Sequence, residues 1–168
     1  MPVAPSRLLL RPATEADVIL LVHVARQSWL SAFEGSAPAA FVARWRARDR
    51  EPAWYLQYWP DMIVADLDGS PAGLVQPAHD EVNGLWVLPE AQGKGVGSAL
   101  LLHAERQIVL AGYDRAWLTC SGFNPRALAF YLRRGYSETR RLEEELEPGL
   151  VDNTIILERS LADLARSL

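Results

Sequence analysis

Residues 85–102, LWVLPEAQGKGVGSALLL, constrain this chain more than any other stretch. An apolar run with the look of a strand reaches Pro89, glycines follow at the alternate positions Gly93, Gly95 and Gly97, and strong helix formers come after them. Glycine lets a backbone approach a ligand closely and take up angles closed to other residues. The free N–H groups of a first helical turn, with the positive end of the helix dipole, favour an anion and phosphate above all. Spacing separates the phosphate loops that compete for such a turn. A Walker loop needs Ser or Thr after Gly-Lys, and here Gly95 follows Lys94. The dinucleotide pattern G-x-G-x-x-G also fails, because the third glycine comes one position early and Ser98 stands in its place. A glycine turn before a helix also occurs with no ligand at all, so the rest of the chain has to decide.

A second segment bears on the choice. Leu118-Thr119-Cys120-Ser121 reads as a strand, and the stretch from Asn124 as a helix ended by Gly135 and followed by Tyr136. Gln92, Gly93, Lys94, Gly95, Val96 and Gly97 fill Gln/Arg-x-x-Gly-x-Gly/Ala after a Val-x-Pro-Glu, and Asn124, Ala127, Tyr131, Gly135 and Tyr136 fill Asn-x-x-Ala-x-x-x-Tyr-x-x-x-Gly-Tyr/Phe. In this order the two motifs resemble the signatures of the GNAT superfamily of N-acetyltransferases, specifically over residues 81–136 and only suggestively elsewhere. The resemblance implies one α/β (α+β) domain over 1–168, with a mixed, mostly antiparallel sheet of about seven strands flanked by helices. It implies that the fourth and fifth strands splay and take the pantetheine arm of acetyl-CoA between them, against main-chain groups of Leu85, Trp86 and Val87. The pyrophosphate then falls to Gln92, Gly93, Lys94, Gly95, Val96, Gly97 and Ser98, and Asn124 touches the pantetheine. Acetyl-CoA is the co-substrate, and no metal is implied.

The chemistry of such a transfer needs three roles. An amine attacks a thioester only when neutral, so something must take a proton; the thiolate needs an acid or a donor as it leaves. The carbonyl oxygen needs a donor while charge develops on it. By resemblance Tyr131 is the acid; the alternative is a core tyrosine of its helix. Glu81 occupies the offset from Gln92 of the catalytic glutamate in histone-acetylating members, and partial burial raises such a carboxyl toward neutrality. His79 and Asp80 are rivals, an imidazole being a proton acceptor in its own right, and ordered water can serve without one decisive base. A solvated carboxylate at a strand start is the plain alternative for Glu81. The oxyanion donor is expected to be a main-chain N–H near Val87. Asn124 before Pro125 is also an ordinary helix cap, and both roles can hold together. The function expected is acetyl transfer to a primary amine by direct attack in a ternary complex. Its acceptor is a small-molecule or peptide amine. Non-catalytic acyl-CoA sensing on the same fold is one alternative, and nucleotide-phosphate binding at the glycine turn another.

With 168 residues, 49% of them hydrophobic, the chain has material for one core. A net charge of −4, with no continuous basic stretch, speaks against nucleic acid. The start of the chain lacks the pattern of a secretory signal, and no apolar run spans a bilayer, so no membrane partner and a cytoplasmic location are expected. Cys120, the lone cysteine, reads as a small buried strand residue. Thr14 and Asp17 open a helix over 16–32 whose apolar face is expected at Leu20, Val24 and Gln27-Ser28, widened by Ile19, Val22 and Ala25. Residues 37–50 predict a helix, and a short helix or loop follows Pro52. The rings of Phe41, Trp45, Trp54, Tyr55, Tyr58 and Trp59 either finish the core or line the acceptor site. Asp68-Gly69 signals a hairpin, Gly84 a bulge, and the glutamates from Glu143 to Glu147 a solvated edge. Edge strands and surface tryptophans suit a homodimer.

Overall fold

The computed structural model describes residues 6–168; the first five residues, where part of the signal-sequence expectation falls, lie outside them. Seven strands form one sheet: β1 (Leu8–Pro12), β2 (Ile63–Leu67), β3 (Ser70–Ala78), β4 (Glu81–Val87), β5 (Arg115–Ser121), β6 (Ser137–Glu147) and β7 (Leu150–Ser160), in the order β1-β2-β3-β4-β5-β7-β6. Every neighbouring pair is antiparallel except β4 and β5. The hairpin at Asp68-Gly69 has positive φ at both positions, 54° and 84°, the twist that a two-residue β-turn demands. The register slips between Val75 and Gln76, where Gly84 makes the expected bulge in β4. β6 forms the exposed edge and carries the glutamate run in solvent.

Among the described residues six helices flank the sheet: α1 (Val18–Phe33), α2 (Ala39–Arg48), α3 (Glu51–Tyr58), α4 (Val96–Leu110), α5 (Pro125–Leu132) and α6 (Ala162–Ser167). Asp17 begins the first of them as foreseen: its carboxylate accepts from the Thr14 N–H at 2.7 Å and the Thr14 hydroxyl at 2.8 Å. Arg11 grips the same carboxylate at 2.8 and 2.9 Å and holds it well below the usual carboxylate range. The apolar face of α1 holds at Val24, Ala25 and Ser28, as the pattern put it, but not at its start. Leu21, Val24, Ala25, Ser28 and Trp29 are buried, whereas Ile19 is 82% and Leu20 42% exposed. The helix ends in aromatic residues at Trp29 and Phe33, and these large rings set which side turns inward. Trp29 stacks on Trp45 with centroids 4.0 Å apart and so carries α2 on α1.

α4 lies on β3 and β4 because β3 has a glycine beneath it. A Cβ at Gly73 would stand 2.9 Å from the Leu100 side chain and 2.8 Å from the Trp86 carbonyl, so any larger residue pushes the helix off the sheet. Glu105, 1% exposed on α4, accepts from Arg159 at 2.8 and 2.9 Å and from the Tyr136 hydroxyl at 3.0 Å. This pairing offsets the cost of a buried carboxylate and ties α4 to β7. Between β4 and β5 the sheet holds at one point only. Glu81 opposes Trp117, the Trp117 N–H reaches the Asp80 carbonyl at 3.0 Å, and the Trp117 indole donates to the Asp80 carboxylate at 3.0 Å. Beyond this apex the two strands part, as the resemblance implied, and the site lies in the fork.

Candidate active site

Two cavities open on the fork. The first, of about 360 Å³, has the glycine turn on one side and α5 on the other, with Gln92, Gly93 and Gly97 facing Arg126, Phe130 and Arg133. The second, of about 300 Å³, reaches across to α1 and α3, where Phe33, Trp54 and Tyr55 line it. Leu85 and Trp86 of β4, with Asn124, Ala127 and Tyr131 of α5, belong to both. Together they make a passage from the glycine turn toward the aromatic helices, two adjoining cavities with Tyr131 in their shared wall.

The turn itself is built for an anion. Gly93 and Gly95 take φ of 74° and 83°, and a Cβ at either position would meet no protein atom within 4 Å. The glycines thus serve the backbone path and leave open space above the first turn of α4, whose N–H groups lack helical partners. Gly97 has another task. A Cβ there would stand 3.2 Å from the Phe130 ring, so this glycine lets α4 and α5 close on each other. Val96 is 1% exposed and belongs to the core, so only its main chain faces the turn.

The free edge of β4 follows from its pairing with β3. The Leu88 N–H donates to the Ala72 carbonyl at 2.8 Å, and Trp86 lies opposite Leu74. Because antiparallel bonding alternates, Trp86 turns its main chain toward β3, while Leu85 and Val87 turn theirs into the fork. Trp86 was expected to offer free main-chain groups; its pairing turns them toward β3, and the residue lines both cavities. The Val87 carbonyl accepts from the Gln92 side chain at 3.1 Å. The other end of that side chain is held by Arg126, so Gln92 braces the loop against β4 and α5.

Tyr131 is 8% exposed, and its hydroxyl makes no hydrogen bond to another described residue. Burial, and then the neighbouring Cys120, raise its phenol above the usual range, so it stays protonated as a donor. Burial likewise pushes the Cys120 thiol up to about 11, which leaves it an inert strand residue. Asn124 caps α5 by accepting from the Ala127 N–H at 3.1 Å, and its amide nitrogen remains available to both cavities.

A model of the acetyltransferase (GNAT) family matches residues 22–136. The chain belongs to this family. Solved structures share its fold. A GCN5-related N-acetyltransferase from Rhodopseudomonas palustris superposes with a TM-score of 0.81 at 21% identity, over 96% of this chain and all of the other. PaiA N-acetyltransferase from Thermoplasma acidophilum, solved with coenzyme A, gives 0.72 at 22% identity, over 92% and 99%. YncA from Salmonella typhimurium, solved with its cofactor acetyl-CoA, gives 0.68 at 17% identity, over 92% and 94%.

Against this GNAT framework the foreseen site residues divide. Leu85, Trp86, Val87, Gln92, Gly93, Gly97, Asn124 and Tyr131 line the passage. Lys94 and Gly95 lie on the exposed crest of the loop, outside the lining, and the Ser98 hydroxyl is taken by Arg134. Glu81 lines neither cavity. It sits at the apex of the fork on the face shared by Asn83 and Gln76, one pleat below them, since Ala78 opposes Glu81 and Gln76 opposes Asn83. Burial, and then Asp80, raise its carboxyl above the ordinary value. His79 is exposed on the turn before β4, and the Asp80 carboxylate is occupied by Trp117. The aromatic residues also divide: Trp54 and Tyr55 line the second cavity, while Phe41 and Trp45 pack on Trp29. Arg126 and Arg133 were missed. They stand seven apart, Arg126 in the first turn of α5 and Arg133 at its C-terminal cap, on the same face, and that spacing was the available signal. No helix among the described residues is long and apolar enough to cross a membrane.

Proposed function

We propose that the protein transfers an acetyl group from acetyl-CoA to a primary amine by direct attack in a ternary complex. The observation that carries this reading is that two cavities adjoin at Tyr131: one suits a charged, phosphate-bearing molecule and the other an uncharged one. Two proteins of the same fold were solved with coenzyme A or acetyl-CoA. The residues present fit that molecule. Open space lies over a positive helix end, two arginines flank it, and a strand edge at Leu85 and Val87 has main-chain groups to pair with amides.

Acetyl-CoA supplies a thioester carbonyl as the electrophile. The first turn of α4 and the loop from Gln92 to Ser98 hold the pyrophosphate, and Leu85, Val87 and Asn124 align the pantetheine. The Val87 N–H donates to the carbonyl oxygen as its charge develops. Glu81 takes the ammonium proton by way of water, and the freed lone pair forms the new C–N bond while the C–S bond breaks. Tyr131 gives its proton to the departing sulfur and regains one, through water, from the nitrogen that becomes the amide. Amide and thiol are the products, and the proton on Glu81 returns to solvent.

Thermal unfolding tests the cofactor part. At about a hundred times its Kd a ligand adds roughly 2.7 kcal/mol, a rise of several degrees in a domain of this size. Acetyl-CoA and CoA are expected to raise the midpoint, and ATP and NAD to leave it in place. Equal protection by ATP or NAD would turn the site into a general nucleotide-phosphate site.

A further inference from the structure

The acetyltransferase reading leaves the acceptor open, and the second cavity narrows it. Among the described residues its lining carries no acidic and no basic side chain. It offers the rings of Phe33, Trp54 and Tyr55 and the amides of Gln76 and Asn83. Gln76 is 5% exposed, and its one side-chain hydrogen bond to a described residue is the 3.5 Å contact with Asn83. The two amides spend one donor and one acceptor on each other. Whichever way each is turned, one NH₂ edge and one carbonyl oxygen remain unused. Tyr55, also 5% exposed, has a hydroxyl with no described partner.

A polycationic acceptor would lose its water here without gaining a carboxylate, and a free amino acid would bring a carboxylate with no cation to meet it. A flat apolar body, by contrast, finds three rings, and an uncharged amide finds both its partners. We infer that the acceptor is an arylalkyl primary amine that carries a carboxamide, with its ring among Phe33, Trp54 and Tyr55 and its amide on the Gln76–Asn83 pair. This rests on the acetyltransferase reading. The shared chemistry belongs equally to an amino-acid amide and to the first residue of a peptide.

The test is acetyl-CoA-dependent thiol release by the wild-type protein with phenylalaninamide, a phenylalanine-led tripeptide amide, phenethylamine, phenylalanine and spermidine. The expected kcat/KM for phenylalaninamide exceeds those for phenylalanine and spermidine at least tenfold, with phenethylamine between. A tripeptide as good as the amide supports a peptide source, and a poor one a small-molecule source. Gln76→Leu keeps the shape of the residue and is expected to lower kcat/KM for phenylalaninamide about tenfold more than for phenethylamine. Protection by acetyl-CoA serves as the check that this variant folds. Spermidine or phenylalanine as the best acceptor, or an equal loss for both amines in Gln76→Leu, overturns the inference and leaves the transferase standing. No release with any amine, with acetyl-CoA still protecting the fold, overturns the transfer reading and this inference with it.

Discussion

The cavity beside the glycine turn takes nearly all its lining from two short runs of sequence, 85–97 and 124–133, the second bringing the charges of Arg126 and Arg133; the cavity on the other side of Tyr131 is assembled from α1, α3, α5 and three strands and carries no charge. The first grips by backbone. Its geometry depends on φ angles at Gly93 and Gly95 and on the start of α4, which accept any ligand with a suitably placed phosphate. The second discriminates by side chain, through rings and a pair of amides. A fold can therefore keep the first and exchange the second.

Changes on each side should separate the two roles. The largest effect is expected where the cavities join. Tyr131→Phe should lower kcat about a hundredfold or more, with the midpoint rise given by acetyl-CoA retained; unchanged turnover would remove Tyr131 from the chemistry. Next comes the cofactor side. Gly95→Val meets no protein atom but places a β-branched residue at φ 83°, a cost of about 2 kcal/mol, so CoA affinity by calorimetry should fall roughly thirtyfold. Intact affinity would mean the turn does not hold the cofactor. On the acceptor side, Glu81→Gln should lower kcat about tenfold. Because burial and Asp80 raise the Glu81 carboxyl, the base form is lost as pH falls through a value above that of an ordinary glutamate. The wild-type rate should rise with pH through that value, and the variant should lack this limb. The smallest effect belongs to Arg133→Ala, an exposed charge: CoA binding should weaken about threefold and become less sensitive to salt.

The same contrast explains what the sequence disclosed. Glycine spacing, the Asn124 cap and the Tyr131 position lie in continuous runs, where local rules act, and the strands around Asp68-Gly69 and Gly84 follow period two. Gln76 and Phe33 join the second cavity only through tertiary packing, and no local pattern tells a polar residue in an apolar strand that it will face a ligand. Gln76 alternates with Leu74 on one face, which was the only hint. The inward face of α1 was read correctly at Val24, Ala25 and Ser28 and misread at its first turn for a related reason: Ile19 and Leu20 are as apolar as Leu21, and the aromatic stack at Trp29 decides among them. Glu81 was found by offset from a motif. It stands at the single pairing with Trp117, at the apex of the fork, next to Val82 and Asn83 of the lining.

The most direct test of the central claim is the initial rate of thiol release with acetyl-CoA and an arylalkyl amine varied together. One passage that holds both substrates at Tyr131 predicts double-reciprocal lines that intersect, with acetylated amine formed in step with free CoA. Parallel lines, or thiol release with no acetylated amine, would contradict direct transfer in a ternary complex.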